Sequence, residues 1–217
     1  MSMFDRQYLA EFVAAFALIF IGAGSVIASS LPGGPDIVGI ALAHGLVLMC
    51  MVYAVGHISG AHVNPAVTIA MLATKNITRD KAIGYIISQL AGATFGGLLL
   101  AIIFSGIAPE AAHLGTPALG LGIGEFRAVL VEAVLTFFLV FVVFGTAVDK
   151  RAPAGLYGLA IGLVLAFDIL AGGFLTGGAM NPARAFGPAL ASGYWAAQWV
   201  YWVGPIIGAL AAAFAYT

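Results

Sequence analysis

Hydrophobic residues run along this chain in long blocks separated by short polar connections. An α-helix needs about 20 mostly apolar residues to cross roughly 30 Å of hydrocarbon. Six blocks reach that length, at about 8–29, 37–56, 82–106, 126–148, 155–173 and 197–216, and six crossings bring both ends of the chain to one side. The first block is too long for a signal peptide, and no small-residue cleavage site leads from it into a soluble domain, so it reads as a span that stays in the membrane. The expected fold is an all-α membrane protein.

Composition sharpens this. The 217 residues include 8 Lys/Arg and 9 Asp/Glu, so 8% are charged, against about 25% in an average soluble domain. Apolar residues make up 62% and 29 residues are Gly, which suits closely packed helices in lipid and excludes a soluble globule. Lys and Arg gather in the cytoplasmic connections of membrane proteins. Arg6, Lys75, Arg79, Lys81, Lys150 and Arg151 lie on the side shared by the N-terminus, whereas the connections 30–36 and 107–125 have none and Arg127 is the nearest. Both termini are therefore expected in the cytoplasm. That orientation makes the glycosylation sequon Asn76-Ile77-Thr78 a chance match. The single Cys50 permits no intrachain disulfide, and a net charge of −1 says nothing about partners.

The chain also repeats itself. The stretch around Glu11, residues 10–20, resembles residues 131–141 around Glu132; Asn64-Pro65-Ala66 follows the second block and Asn181-Pro182-Ala183 the fifth, each four positions after a glycine, Gly60 and Gly177. Three spans per half is odd, so halves of about 1–106 and 126–217, joined by an outer loop 107–125, must be inverted within a single channel domain of 1–217. An inverted repeat puts its site near the bilayer midplane, often between broken helices whose N-termini face the substrate. Two such helices are expected, from Pro65 to about Ala73 and from Pro182 to about Leu190, each about half a membrane long at 1.5 Å per residue. Asn as cap with Pro at the first helical position is a helix start in its own right. Two copies, each after the second span of an inverted repeat, point further, to a channel.

This pattern resembles the aquaporin (major intrinsic protein) family across essentially the whole chain, on residues 56–68 and on Met180-Asn181-Pro182-Ala183-Arg184 with the four residues that follow. The resemblance implies six tilted helices, two re-entrant half-helices, a homotetramer with one pore per subunit, and passive permeation of water and small neutral solutes. Non-helical backbone at membrane depth is tolerated only where it is buried in protein or lines water. Gly60, Ala61, His62 and Val63, and likewise Gly177, Gly178, Ala179 and Met180, are therefore expected as extended stretches offering a ladder of carbonyls. Asn64 and Asn181 would donate to one passing water, which two half-helix N-termini polarise. With Arg184, that arrangement would break the proton wire and repel cations. The resemblance makes Glu11 and Glu132 loop scaffolds rather than a proton relay, since a carboxylate in lipid costs about 2.5–3.5 kcal/mol at mid-span.

The same resemblance places the narrow selectivity filter on His44, Ile169, Gly178 and Arg184. That set is similar to the tonoplast intrinsic proteins of plants that pass water and ammonia, and in that subgroup a loop histidine, here His113, joins the filter. A wider ring with imidazole nitrogens would favour NH3. Glycerol facilitators carry Asp directly after the Arg, where Ala185 stands, so glycerol is disfavoured while the open Gly178 keeps urea in play. Asp168 departs from the usual pattern, and an acid inside a span is a functional candidate; it would orient His44 or His113, bond near Arg184, or lie at the outer water boundary. A structural or adhesive membrane role is the other alternative. There are no paired acids in a cleft, no metal-spaced Cys/His cluster and no phosphate loop, since Gly120-Leu121-Gly122-Ile123-Gly124 lacks strand-to-helix context, so neither an enzyme nor a metal, a cofactor or a nucleic-acid partner is expected. The brief N-terminal segment inclines towards a prokaryotic plasma membrane, and plant origin would imply the vacuolar membrane.

Overall fold

The computed structural model describes residues 3–217, and among them every regular element is helical. In chain order these are α1 (Met3–Leu18), a π-helical turn (Ile19–Ala23), α2 (Gly24–Ser29), α3 (Ile37–Ser59), α4 (Pro65–Ala73), α5 (Arg79–Ile103), a 3-10 turn (Glu110–Gly115), α6 (Glu125–Val143), a second π turn (Phe144–Val148), α7 (Tyr157–Thr176), α8 (Pro182–Ser192) and α9 (Val200–Tyr216). Five continuous helices, Arg6–Ser29, α3, α5, Glu125–Val148 and α7, are long and apolar enough to cross a membrane, and α9 is a shorter apolar helix of 17 residues.

Each element's ends have local causes. The Asp36 carboxylate caps α3 by accepting from Val38 N and Gly39 N, both at 3.0 Å. The helix then runs past Gly56 and stops at Gly60, whose φ of +90° suits a residue with no β-carbon. α7 stops in the same way at Gly177, φ +84°, and so extends beyond the expected end near 173. α5 starts earlier than 82 because Arg79, Asp80 and Lys81 form its first turn. α9 begins at Val200 rather than 197 because turns occupy the residues before it, and α8 continues to Ser192 before Gly193 takes φ +73°.

Small residues let these helices approach to backbone contact, which is how apolar helices associate without a hydrophobic driving force. α3 crosses α7 where Gly45 and Gly162 face each other, so closely that a β-carbon on either would stand 2.5 Å from the other's carbonyl oxygen. α1 packs on α5 and α6 on α9. The short helices pack on both halves: α4 lies on α5 and α9, and α8 on α5 with a lighter contact to α9. Large apolar side chains such as Ile87, Ile102, Phe126, Phe174 and Phe214 cover the outside, as a chain dissolved in lipid requires.

Candidate functional site

The N-termini of α4 and α8 meet. Asn64 Oδ1 accepts from Ala66 N at 2.8 Å, and Asn181 Oδ1 accepts from Ala183 N at 2.9 Å and Arg184 N at 3.3 Å, so both asparagines cap their helices with Pro65 and Pro182 at the first helical position. Each also reaches across. Asn64 Nδ2 donates to Met180 O at 2.8 Å, and Asn181 Nδ2 donates to Val63 O at 3.0 Å. One N–H of each amide is thereby used within the protein, and one remains.

The backbone leading into each half-helix is not extended, as the sequence suggested, but left-handed at three of its four residues. Gly60, Ala61 and Val63 have φ of +90°, +48° and +55°, and Gly177, Gly178 and Met180 have +84°, +57° and +51°. A β-branched residue at positive φ is costly, and two buried carboxylates hold the chain there. Glu11 accepts from Ser59 Oγ (2.6 Å), His62 N (2.9 Å), Val63 N (2.7 Å) and Gln89 Nε2 (2.7 Å). Glu132 accepts from Thr176 Oγ1 (2.6 Å), Ala179 N (3.0 Å) and Met180 N (2.7 Å). With their amides tied inward, the carbonyls of Gly60, Ala61, His62, Gly177, Gly178 and Ala179 have no protein donor among the described residues. A cavity of about 320 Å³ runs from His57 and Tyr157 past His62 and Asn64 to His44 and Arg184, walled by residues such as Leu48 and Val52.

At that end the Arg184 guanidinium is fixed by two acceptors. Nε donates to His44 Nε2 at 3.1 Å and Nη1 to Gly115 O at 2.9 Å. His44 Nδ1 lies 2.9 Å from Ile40 O, so the hydrogen-bond pattern requires the proton on Nδ1 and a bare Nε2. Both imidazole nitrogens are then engaged, and the expectation that they serve a solute is corrected. Ile169 is buried beside Gly178, where a β-carbon would lie 3.5 Å from Ile169 Cα and Cγ1.

Comparisons with known proteins show the family and the fold. Residues 1–216 match the family model described as Major intrinsic protein. The chain belongs to the major intrinsic protein family. It is 47% identical to Aquaporin TIP4-4 of Zea mays over 220 residues, covering 97% of this chain and 85% of that protein. Aquaporin NIP1-1 of Zea mays is 41% identical, over 98% of this chain and 74% of its own length. The fold is similar to the X-ray structure of the aquaglyceroporin from Plasmodium falciparum, with a TM-score of 0.87, 26% identity, and 98% and 95% of the two chains covered. As a major intrinsic protein, this chain is a multi-pass membrane channel and not an enzyme.

Two other sequence candidates fall elsewhere in this major intrinsic protein. The His113 ring lies flat on Tyr194, with centroids 3.8 Å apart and planes at 11°, in an outer cavity with Glu110 and Ser192. The loop's contact with Arg184 is Gly115, two residues on, because left-handed turns at His113 and Leu114 aim that carbonyl inward. Asp168 is 1% exposed and its Oδ2 has no partner among the described residues, so no hydrogen bond joins it to His44, His113 or Arg184. Sequence reasoning missed Tyr85 and the loop-holding role of Tyr201, whose hydroxyls donate to Ser59 O (2.7 Å) and Thr176 O (2.8 Å). Their near-equal offsets of 26 and 25 residues from those acceptors were the available signal.

Proposed function

We propose that this protein is a passive channel for water that also passes ammonia as neutral NH3 and excludes protons and ions, working as inverted repeats of one channel domain. The observation that carries the reading is the meeting of two half-helix N-termini at Asn64 and Asn181, in a cavity that continues to Arg184. Each helix end presents about half a positive charge, and the remaining N–H of each asparagine is free to donate to a water oxygen. Water held that way directs its own protons outward to the unpaired carbonyls on both sides, which interrupts a proton wire. Arg184 adds a full charge against cations.

The case for ammonia rests on width rather than on imidazole chemistry. Ile169 and Gly178 bring no polar side chain to the ring formed with His44 and Arg184, and the nitrogens of His44 are occupied. The relatives named TIP support the same reading. Cations gather on the side we take as cytoplasmic, together with both termini; homotetramers and a prokaryotic plasma membrane, or a vacuolar membrane for a plant protein, complete the proposal. A urea or glycerol facilitator is the second reading, favoured by the bare Gly178 and by the aquaglyceroporin neighbour.

Stopped-flow shrinkage of proteoliposomes tests water, and an internal pH dye tests ammonia. We expect both fluxes above those of empty vesicles, with His44→Phe lowering ammonia flux more than water flux. Water flux without ammonia flux would end the ammonia reading, and urea or glycerol uptake faster than ammonia would favour the second.

A further inference from the structure

The π-helical turn at Ile19–Ala23 interrupts the first span and packs against α3, α5 and α8. Such turns are rare and recur at functional sites. Two adjacent residues of this one touch both groups that hold Arg184. A β-carbon on Gly22 would stand 2.6 Å from Cδ2 and 2.6 Å from Nε2 of His44, and 3.1 Å from Cε1. Next to it, Ala23 supports Gly115 so closely that a β-carbon on Gly115 would lie 2.5 Å from Ala23 O. His44 Nε2 and Gly115 O are the two acceptors of the guanidinium. The ring has no easy retreat, since His44 is 4% exposed and its Nδ1 is tied to Ile40 O.

We propose that Gly22 is a positioning residue for the constriction: the bare backbone of the π turn gives the His44 ring the place from which Nε2 holds Arg184 Nε. The assignment rests on the reading that His44 and Arg184 line the conducting path. Gly22 touches no solute and acts through the ring. A side chain at this position makes the ring rotate, and Nε2 leaves Arg184 because it is among the atoms closest to Gly22. The guanidinium then keeps only Gly115 and turns into the lumen. Gly24, two residues on, differs: its β-carbon would meet only Leu100 Cδ2, at 3.3 Å, the mobile end of a side chain.

The test compares unit water permeability in proteoliposomes for wild type, Gly22→Ala, Gly24→Ala, His44→Ala and the double variant Gly22→Ala/His44→Ala, with the amount of inserted protein measured. Gly22→Ala is expected to lower it by about threefold or more, a barrier change of roughly 0.7 kcal/mol, while Gly24→Ala matches wild type. Adding Gly22→Ala to His44→Ala is expected to change nothing further, because no ring remains to displace. A Gly22→Ala channel equal to wild type, or one whose loss is the same with and without the ring, overturns the assignment. If Gly22→Ala alone fails to insert, recovery of inserted protein in the double variant supports it and failure of both overturns it. Wild-type vesicles no faster than empty ones would strike the channel reading itself, whereas wild-type flux with an unaffected Gly22→Ala strikes only Gly22.

Discussion

Glu11 and Glu132 bind their loops in the same way: one oxygen takes a hydroxyl and the amide three residues beyond it, and the other takes the next amide. Glu11 carries one donor more, from Gln89. A neutral amide cannot accept all of these bonds, because its NH2 group faces donors. Glu11→Gln and Glu132→Gln should each orphan at least one buried backbone N–H, at a cost of about 1–3 kcal/mol. The loss should be larger at Glu11, where four donors compete. Thermal unfolding in detergent micelles measures it; a Gln variant as stable as wild type would mean that the loops hold their left-handed residues unaided.

The crossed bonds from Asn64 to Met180 and from Asn181 to Val63 tie the two half-helices together as well as lining the meeting point. Asn181→Asp keeps the cap on Ala183 and Arg184, since a carboxylate accepts at a helix N-terminus. It replaces the donor to Val63 O with an acceptor and sets a negative charge where the N-termini of α4 and α8 meet. Proton leak into vesicles, followed with an internal dye, should rise by about tenfold, or roughly 1.4 kcal/mol of barrier. A leak unchanged at equal water flux would place the proton barrier elsewhere, with Arg184 the next candidate.

Much of this is legible in the sequence. The scaffold role of the two glutamates is what the family resemblance implies, while the six blocks and the paired Asn-Pro-Ala motifs depend on long-range hydropathy or on repetition within the chain, which survive in a one-dimensional reading. Contacts that join distant segments do not. Nothing local to Gly115 marks its carbonyl as the partner of Arg184, so a loop histidine two residues away drew the assignment instead. The left-handed backbone before each half-helix is likewise hidden, because Ala61, Val63 and Met180 are residue types that ordinarily avoid positive φ. The buried carboxylates, with the Ser59 and Thr176 hydroxyls, hold the chain in that conformation. Gly22 is one glycine among 29 in the sequence, and only the fold sets it against the His44 ring.

Asp168 fits none of these patterns. It is 1% exposed in α7, and Oδ2 finds no donor among the described residues. Burying a polar group without a hydrogen bond costs about 1–3 kcal/mol by mutational measures, and an ionised one costs more. Asp168→Asn preserves the shape and removes the possibility of charge. We expect it to unfold at the same temperature as wild type or higher, with water flux unchanged. A variant that folds normally yet loses flux would instead give Asp168 a part in permeation.

On the side taken as cytoplasmic, Asp149 ties the second π turn to the end of α9. Its carboxylate accepts Arg151 Nη2 at 2.6 Å, Arg151 Nε at 2.9 and 3.1 Å, Arg151 N at 2.9 Å, and the Tyr216 hydroxyl at 2.9 Å. Those bonds, Arg151's side chain first, hold the Asp149 carboxyl well below the ordinary carboxylate range. A depressed acid gives its stabilisation above its unfolded value, about 3.9 for Asp, and loses it only as pH falls through the folded value. The latch therefore stays closed from about pH 5 to pH 8, a window in which Asp149 remains ionised. Asp149→Asn should speed amide exchange in residues 149–156 while leaving the shape of any permeability–pH curve between those limits intact. Because the Arg151 side chain is 88% exposed, raising salt to about 1 M, where charges are screened beyond roughly 3 Å, should produce a weaker version of the same loosening. A pH dependence that vanishes in Asp149→Asn would contradict this account, since the group would then have to titrate where its partners keep it charged.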